Sequence, residues 1–159
     1  MHEIFESVTR RRALALLAAG IAVSPGLARA EAPAVLVHKD PDCGCCGGWV
    51  KHMQAAGFAV TVDETADLRA VRTRLRVPPS LASCHTAEVS GFVVEGHVPA
   101  QAIRRLLAQR PAVLGLAVPG MPAGSPGMEG GTPRAYDVLT FGADGQKPFM
   151  RFLGTEIAT

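Results

Sequence analysis

Aromatic residues are scarce in this chain of 159 residues, which holds one Trp, one Tyr and six Phe, 5% of the total. A base-stacking platform for single-stranded nucleic acid needs more of them. Charge of one sign is also lacking. The 16 basic and 14 acidic side chains give a net charge of only +2. Residues 1–30 contribute four of the arginines and two of the glutamates, and the remainder is balanced at 12 and 12. A neutral domain has no basic stripe to offer nucleic acid. No apolar run reaches the roughly 20 residues that a membrane-spanning helix needs, and no internal repeat is evident. The chain is long enough for one ordinary domain and short for two. With 48% apolar residues it can build a core without disulfide staples.

The N-terminus reads as an address. Thr9-Arg10-Arg11-Arg12 precedes a short apolar stretch, Ala13 to Val23. Ser24-Pro25-Gly26 breaks that stretch, and Ala28-Arg29-Ala30 supplies the small-x-small pattern of signal-peptidase cleavage. The arginine pair and the mild apolar stretch resemble a twin-arginine signal. Position 13 is Ala where that motif favours Phe, so the general export route stays open. The expectation is a cleaved export signal over 1–30, with residues 31–159 forming one domain in the periplasm and no membrane segment in the mature form.

In the mature chain, Ala34 to His38 reads as a buried strand. Trp49 to Ala56 reads as a helix, with Gly57 at its left-handed cap. Phe58 to Val62 reads as a second strand and Asp67 to Val77 as a helix stopped by Pro78-Pro79. Ser83 to Val89 and Gly91 to Glu95 read as a strand pair, and Ala100 to Gln109 as a third helix. Strand, helix, strand, helix, strand, strand, helix is the thioredoxin-like order of an α/β domain. Pro119 to Pro133, rich in Gly and Pro, reads as a long functional loop. Tyr136 to Phe141 and Pro148 to Leu153 read as a C-terminal β-hairpin extension.

Cysteine is sparse, yet three of the four lie within four residues: Cys43, Cys45 and Cys46. Between a first strand and a first helix, Cys43 and Cys46 have C-x-x-C spacing, and a helix N-terminus stabilises thiolate. Two disulfides would be the plain reading in an oxidising compartment. A staple gains most by closing a long loop, which this cluster does not do. A dithiol switch needs two sulfurs, and Cys45 is a third. Soft metals welcome extra thiolates, which select copper(I), zinc or iron–sulfur clusters. Metal binding, redox exchange by Cys43 and Cys46, and structural disulfides all remain open on spacing alone.

Cys84 lies in the loop before the third strand, which in thioredoxin-like folds usually carries a cis-proline and faces the first-helix motif. His85 can add an imidazole or point to the opposite face. Met121 and Met128, in the Gly/Pro loop, offer soft thioethers, with packing over the core as the alternative. His52 and Met53, one turn past Cys46, are weaker candidates, His52 more typical of a solvated position and Met53 of a core one. His38 and His97 show no partner.

Asp40-Pro41-Asp42-Cys43-Gly44-Cys45-Cys46-Gly47-Gly48-Trp49, Ser83-Cys84-His85-Thr86-Ala87, Gly91 to Pro99, Pro119-Gly120-Met121-Pro122 and Gly127-Met128-Glu129 together resemble the CopG-like periplasmic copper-resistance proteins. The resemblance spans nearly all of the mature chain and holds at all four cysteines. It implies a thioredoxin-like domain in which the C-x-C-C cysteines and the later lone cysteine hold copper as a thiolate-bridged cluster. Copper(I) bound by Cys43, Cys45, Cys46 and Cys84 is therefore the expectation, with zinc the lesser alternative and Met121, Met128 and His85 as further ligands. Two adjacent cysteines make a closed mononuclear shell awkward and favour bridging. Expected partners are copper ions and other copper-handling envelope proteins. An oxidoreductase with Cys43 and Cys46 as its redox pair is the rival expectation.

Overall fold

The computed structural model describes residues 32–158, so the export-signal reading of residues 1–30 lies outside the described residues. Val35 and Val37 alternate with Leu36 and His38 along β1 (Ala34–Lys39), and the two valines are wholly or nearly wholly buried. That period of two places the valines on one face of a sheet. α1 (Gly44–Ala55) carries the chain back so that β2 (Ala59–Glu64) pairs parallel to β1. α2 (Leu68–Arg74) and a 3-10 turn (Pro79–Leu81) lead to β3 (His85–Val89). β3 pairs antiparallel with both β1 and β4 (Phe92–Glu95). α3 (Ala100–Gln109) follows, then β5 (Gly115–Ala117), parallel to β4. β6 (Ala135–Gly142), β7 (Gly145–Leu153) and β8 (Glu156–Ile157) complete one eight-stranded sheet in the order β2-β1-β3-β4-β5-β6-β7-β8.

The main core lies between one sheet face and helices α1 and α3. Trp49, Val50 and Met53 of α1 and Ala102, Ile103 and Leu106 of α3 pack there with Val35, Val37, Val94 and Phe152. The other face carries a smaller cluster of Val77, Leu81, Val93, Ala117 and Phe141 beside the segment that follows α2. Trp49, fully buried, donates its indole N–H to the Val98 carbonyl at 2.8 Å, tying α1 to the start of α3. No helix among the described residues is long and apolar enough to cross a membrane.

The expected element order holds, and several boundaries move. α1 begins at Gly44, five residues before the expected Trp49, so Cys45 and Cys46 lie in its first turn. Gly47-Gly48 has poor helix propensity, but the second glycine is required by packing against the long loop described below. α2 is shorter than 67–77: Asp67 caps it by accepting from the Ala70 N–H at 3.0 Å, and Arg76 turns left-handed at φ 55°. The loop before β3 contains no cis peptide bond. β5 was not foreseen, because three residues carry no period. It joins the C-terminal hairpin to the main sheet, so the hairpin continues the sheet rather than standing apart.

Gly115 of β5 sits where a Cβ would collide with the Val93 carbonyl oxygen. We predict that Gly115→Ala destabilises the domain by about 3 kcal/mol through overpacking. Urea denaturation checks this; an unchanged midpoint would contradict the close approach.

Candidate metal centre

The cluster starts from a turn. Asp40 accepts from the Cys43 N–H through its backbone at 3.1 Å and from the Asp42 N–H through its side chain at 2.9 Å. Lys39 Nζ donates to the Asp40 and Pro41 carbonyls. Cys43 then occupies the N-cap of α1 in extended conformation. No side chain caps the helix, and its first turn holds no acidic residue. The free N–H groups and the helix dipole therefore face sulfur.

Cys43 and Cys46 are joined as a disulfide, with Cα atoms 5.4 Å apart. Cys45 and Cys84 are free thiols. Cys45 Sγ lies 3.5 Å from Cys43 Sγ and 3.8 Å from Cys84 Sγ, so it stands between the disulfide and the distant cysteine. All four Sγ atoms fall within 4.8 Å of one another. Cys46 is fully buried and the other three are half-buried.

Cys84 is held from behind by a buried polar network. Glu95 is fully buried. One carboxylate oxygen accepts from Arg72 Nε at 2.8 Å and from the Ser83 N–H at 2.7 Å, and the other accepts from the Thr86 hydroxyl at 2.5 Å. Arg72 also donates to the Ser83 carbonyl at 2.5 Å. Burial pushes the Glu95 pKa up, and these donors oppose the shift. Ser83 and Thr86, which bracket Cys84 and His85, are thus fixed to one carboxylate.

His97, for which the sequence showed no partner, is fully buried and meets Cys84 Sγ through Nε2 at 2.7 Å. Its Nδ1 lies 2.8 Å from the Pro126 carbonyl. A carbonyl only accepts, so Nδ1 carries the proton and Nε2 presents a lone pair to the sulfur. Burial, with the neighbouring Cys45 adding, pushes the Cys84 thiol up to about 12. The Cys84 thiol therefore donates its proton to His97 Nε2. His85 packs between Trp49 and His97, at ring-centroid distances of 4.5 and 5.0 Å. Burial holds His85 neutral, its pKa lowered to about 3, and its Nε2 has no hydrogen-bond partner among the described residues. Its Nδ1 is 3.8 Å from Cys84 Sγ, so Cys84, His85 and His97 form a second group of donors sharing one sulfur. Four sulfurs flanked by two neutral imidazoles suit a soft ion.

The Gly/Pro loop closes over this corner. Gly127, at φ +85°, leaves no room for a Cβ against the Cys45 carbonyl and the Trp49 N–H. A Cβ on Gly48 would come within 2.7 Å of Gly127 Cα. Met128 follows directly and is half-buried. Met121 is 54% exposed and shares with Cys84 a cavity lined also by Ala82, Ser83 and Gly120. Met53 is a core residue, as its helical position suggests. His52 is half-buried rather than solvated. It accepts from the Ala100 N–H at 3.0 Å and so caps α3, whose N-cap is Pro99. His38 has partners on the other sheet face, Asp63 at 2.8 Å and Glu88 at 3.0 Å. His97 lay inside the Gly91–Pro99 stretch singled out above; what hid its role was the fold-dependent meeting with Cys84.

An α/β domain with this constellation has a cysteine cluster capable of holding a metal ion. Residues 81–128 match a family described as a protein of unknown function, DUF411. Two solved structures named Copper resistance protein copG, Form 1 and Form 2, resemble the chain with TM-scores of 0.73 and 0.72. They are 48% and 47% identical to it over 78% and 77% of its length, and over 100% and 99% of their own. No curated protein matches. The chain belongs to the CopG family of copper resistance proteins.

Because Glu95 is fully buried, removing its cation leaves a charge without compensation. Arg72→Met should cost about 3 kcal/mol of folding stability. Chemical denaturation checks this, and a loss below the error of the measurement would contradict it.

Proposed function

We propose that this chain is exported, cleaved after Ala30, and binds copper(I) in the periplasm through the thiolates of Cys43, Cys45, Cys46 and Cys84, in the service of copper tolerance. The observation that carries the reading is the position of Cys45, in contact with sulfur on both sides. A sulfur so placed can bridge two metal ions, and copper(I) favours thiolate. Copper is the cargo, and the names of the two related structures favour it over zinc. His97 Nε2 and His85 Nδ1 supply nitrogen donors at the edge of the cluster, beside Cys84, and Met128 closes it from the loop. Other copper-handling envelope proteins are the expected partners. A thioredoxin-like description is supported by the β2-β1-β3-β4 order, with a parallel β1-α1-β2 unit joined to an antiparallel β3-β4-α3 unit.

The disulfide favours a second reading, thiol or copper oxidoreduction with Cys43 and Cys46 as the redox pair. Opening it takes two electrons and two protons and yields two thiols. The two readings join if reduction creates the full ligand set and oxidation withdraws half of it.

Cys45→Ser separates them. The reduced, anaerobic variant should lose copper(I) affinity by at least tenfold in competition with bicinchoninate, yet still close and open the Cys43–Cys46 disulfide. Wild-type affinity in Cys45→Ser would reject the bridged site. Thiol counts should rise from two to four on reduction.

A further inference from the structure

Resting on the copper(I) reading above, we propose that Met121 and Cys84 form the port through which copper(I) is exchanged with a carrier that presents neutral thioether ligands. A resident ligand needs burial and a fixed place. Met121 lacks the burial: it is 54% exposed, while Cys46 and His97, at the inner side of the cluster, are fully buried. It stands between two cavities. One, of about 250 Å³, is lined by Ala82, Ser83, Cys84, Gly120 and Met121. The other, of about 440 Å³, is lined by Met121 with Pro119, Pro122, Ala123, Arg134 and Tyr136, among others. The first connects a cluster sulfur to the thioether; the second leaves space on its outer side.

The walls are fixed although the thioether is not buried. The Ser83 hydroxyl donates to the Gly120 carbonyl at 2.6 Å, joining the Cys84 loop to the Met121 loop. Gly120 takes φ +70°, a conformation that a side chain would strain. Ser83 in turn is bound to Glu95. The mouth thus keeps its width while the Met121 side chain, unbranched and flexible, can reach either way.

The lining also sets the chemistry of the partner. No residue around the inner cavity carries a charge except Cys84 once it ionises. Bringing a second thiolate into it costs desolvation and like-charge repulsion, whereas a thioether enters without either. The exchange needs no redox partner. Copper(I) bound by thioethers of the carrier gains Met121 sulfur, then Cys84 sulfur. The carrier's thioethers depart neutral, the Cys84 thiol gives up its proton to solvent, and copper stays in the +1 state throughout.

The test uses the reduced mature protein, without oxygen, and a synthetic methionine-rich peptide loaded with copper(I) and free of Trp. Loading is followed by the fluorescence of Trp49, the single Trp of the chain, which packs against the His85 ring. Met121→Leu should slow loading at least tenfold and leave the copper stoichiometry and the equilibrium affinity within threefold of wild type. An unchanged rate would overturn the port. An affinity loss that matches the rate loss would overturn it too, making Met121 a resident ligand. Wild-type protein that takes up no copper(I) from either the peptide or bicinchoninate would instead overturn the copper reading itself.

Discussion

The geometry of the cluster turns on a single buried carboxylate. Glu95 has no exposed surface, and an ionised group in that position must be surrounded by donors or be neutralised. Its donors come from three elements: Arg72 of α2, the Ser83 backbone in the loop before β3, and Thr86 of β3. Cys84 lies between the last two. Satisfying Glu95 therefore also fixes where the lone cysteine stands, 38 or more residues away in sequence from the cysteines it faces. The arrangement is stable only when every partner is present, which makes the position of Cys84 a consequence of charge burial rather than of loop preference.

A second tie acts from the opposite side. The loop following β5 packs Gly127 directly against the first turn of α1, and the adjacent Pro126 carbonyl takes the Nδ1 proton of His97. One short segment thus holds the helix that bears Cys45 and Cys46, with Cys43 at its N-cap, and sets the tautomer of the imidazole that meets Cys84. Between the two ties, the sulfurs stand close together as a disulfide with two thiols beside it. On the proposed function, proximity enforced by the surrounding fold would let one site hold metal when reduced and withdraw ligands when oxidised.

Much of this was legible in the sequence, and the parts that were not share a cause. The strand and helix order followed from composition, period and punctuation: the apolar, β-rich run Ala34 to His38 lies within β1, Gly57 ends α1 in the left-handed region as expected, and α3 spans the same residues, Ala100 to Gln109. The start of α1 was hidden because Gly44, Gly47 and Gly48 argue locally against helix, while the reason for Gly48 lies in a backbone 79 residues further on. β5 is too short to show a period. Cys84 could be set opposite the cluster only through the thioredoxin-like order. His97 and Glu95 were invisible as site residues because each is defined by tertiary partners: one sits in a turn after a strand, and the other closes the apolar run Phe92-Val93-Val94.

The central claim is that Cys45 bridges copper(I) between the C-x-x-C pair and Cys84. X-ray absorption at the copper edge of the anaerobically reduced, copper-loaded mature protein tests it most directly. The account predicts copper in the +1 state, a first shell dominated by sulfur, and a copper–copper vector that vanishes in Cys45→Ser. A first shell dominated by nitrogen or oxygen, or a sulfur shell without copper–copper scattering at full loading, would contradict it.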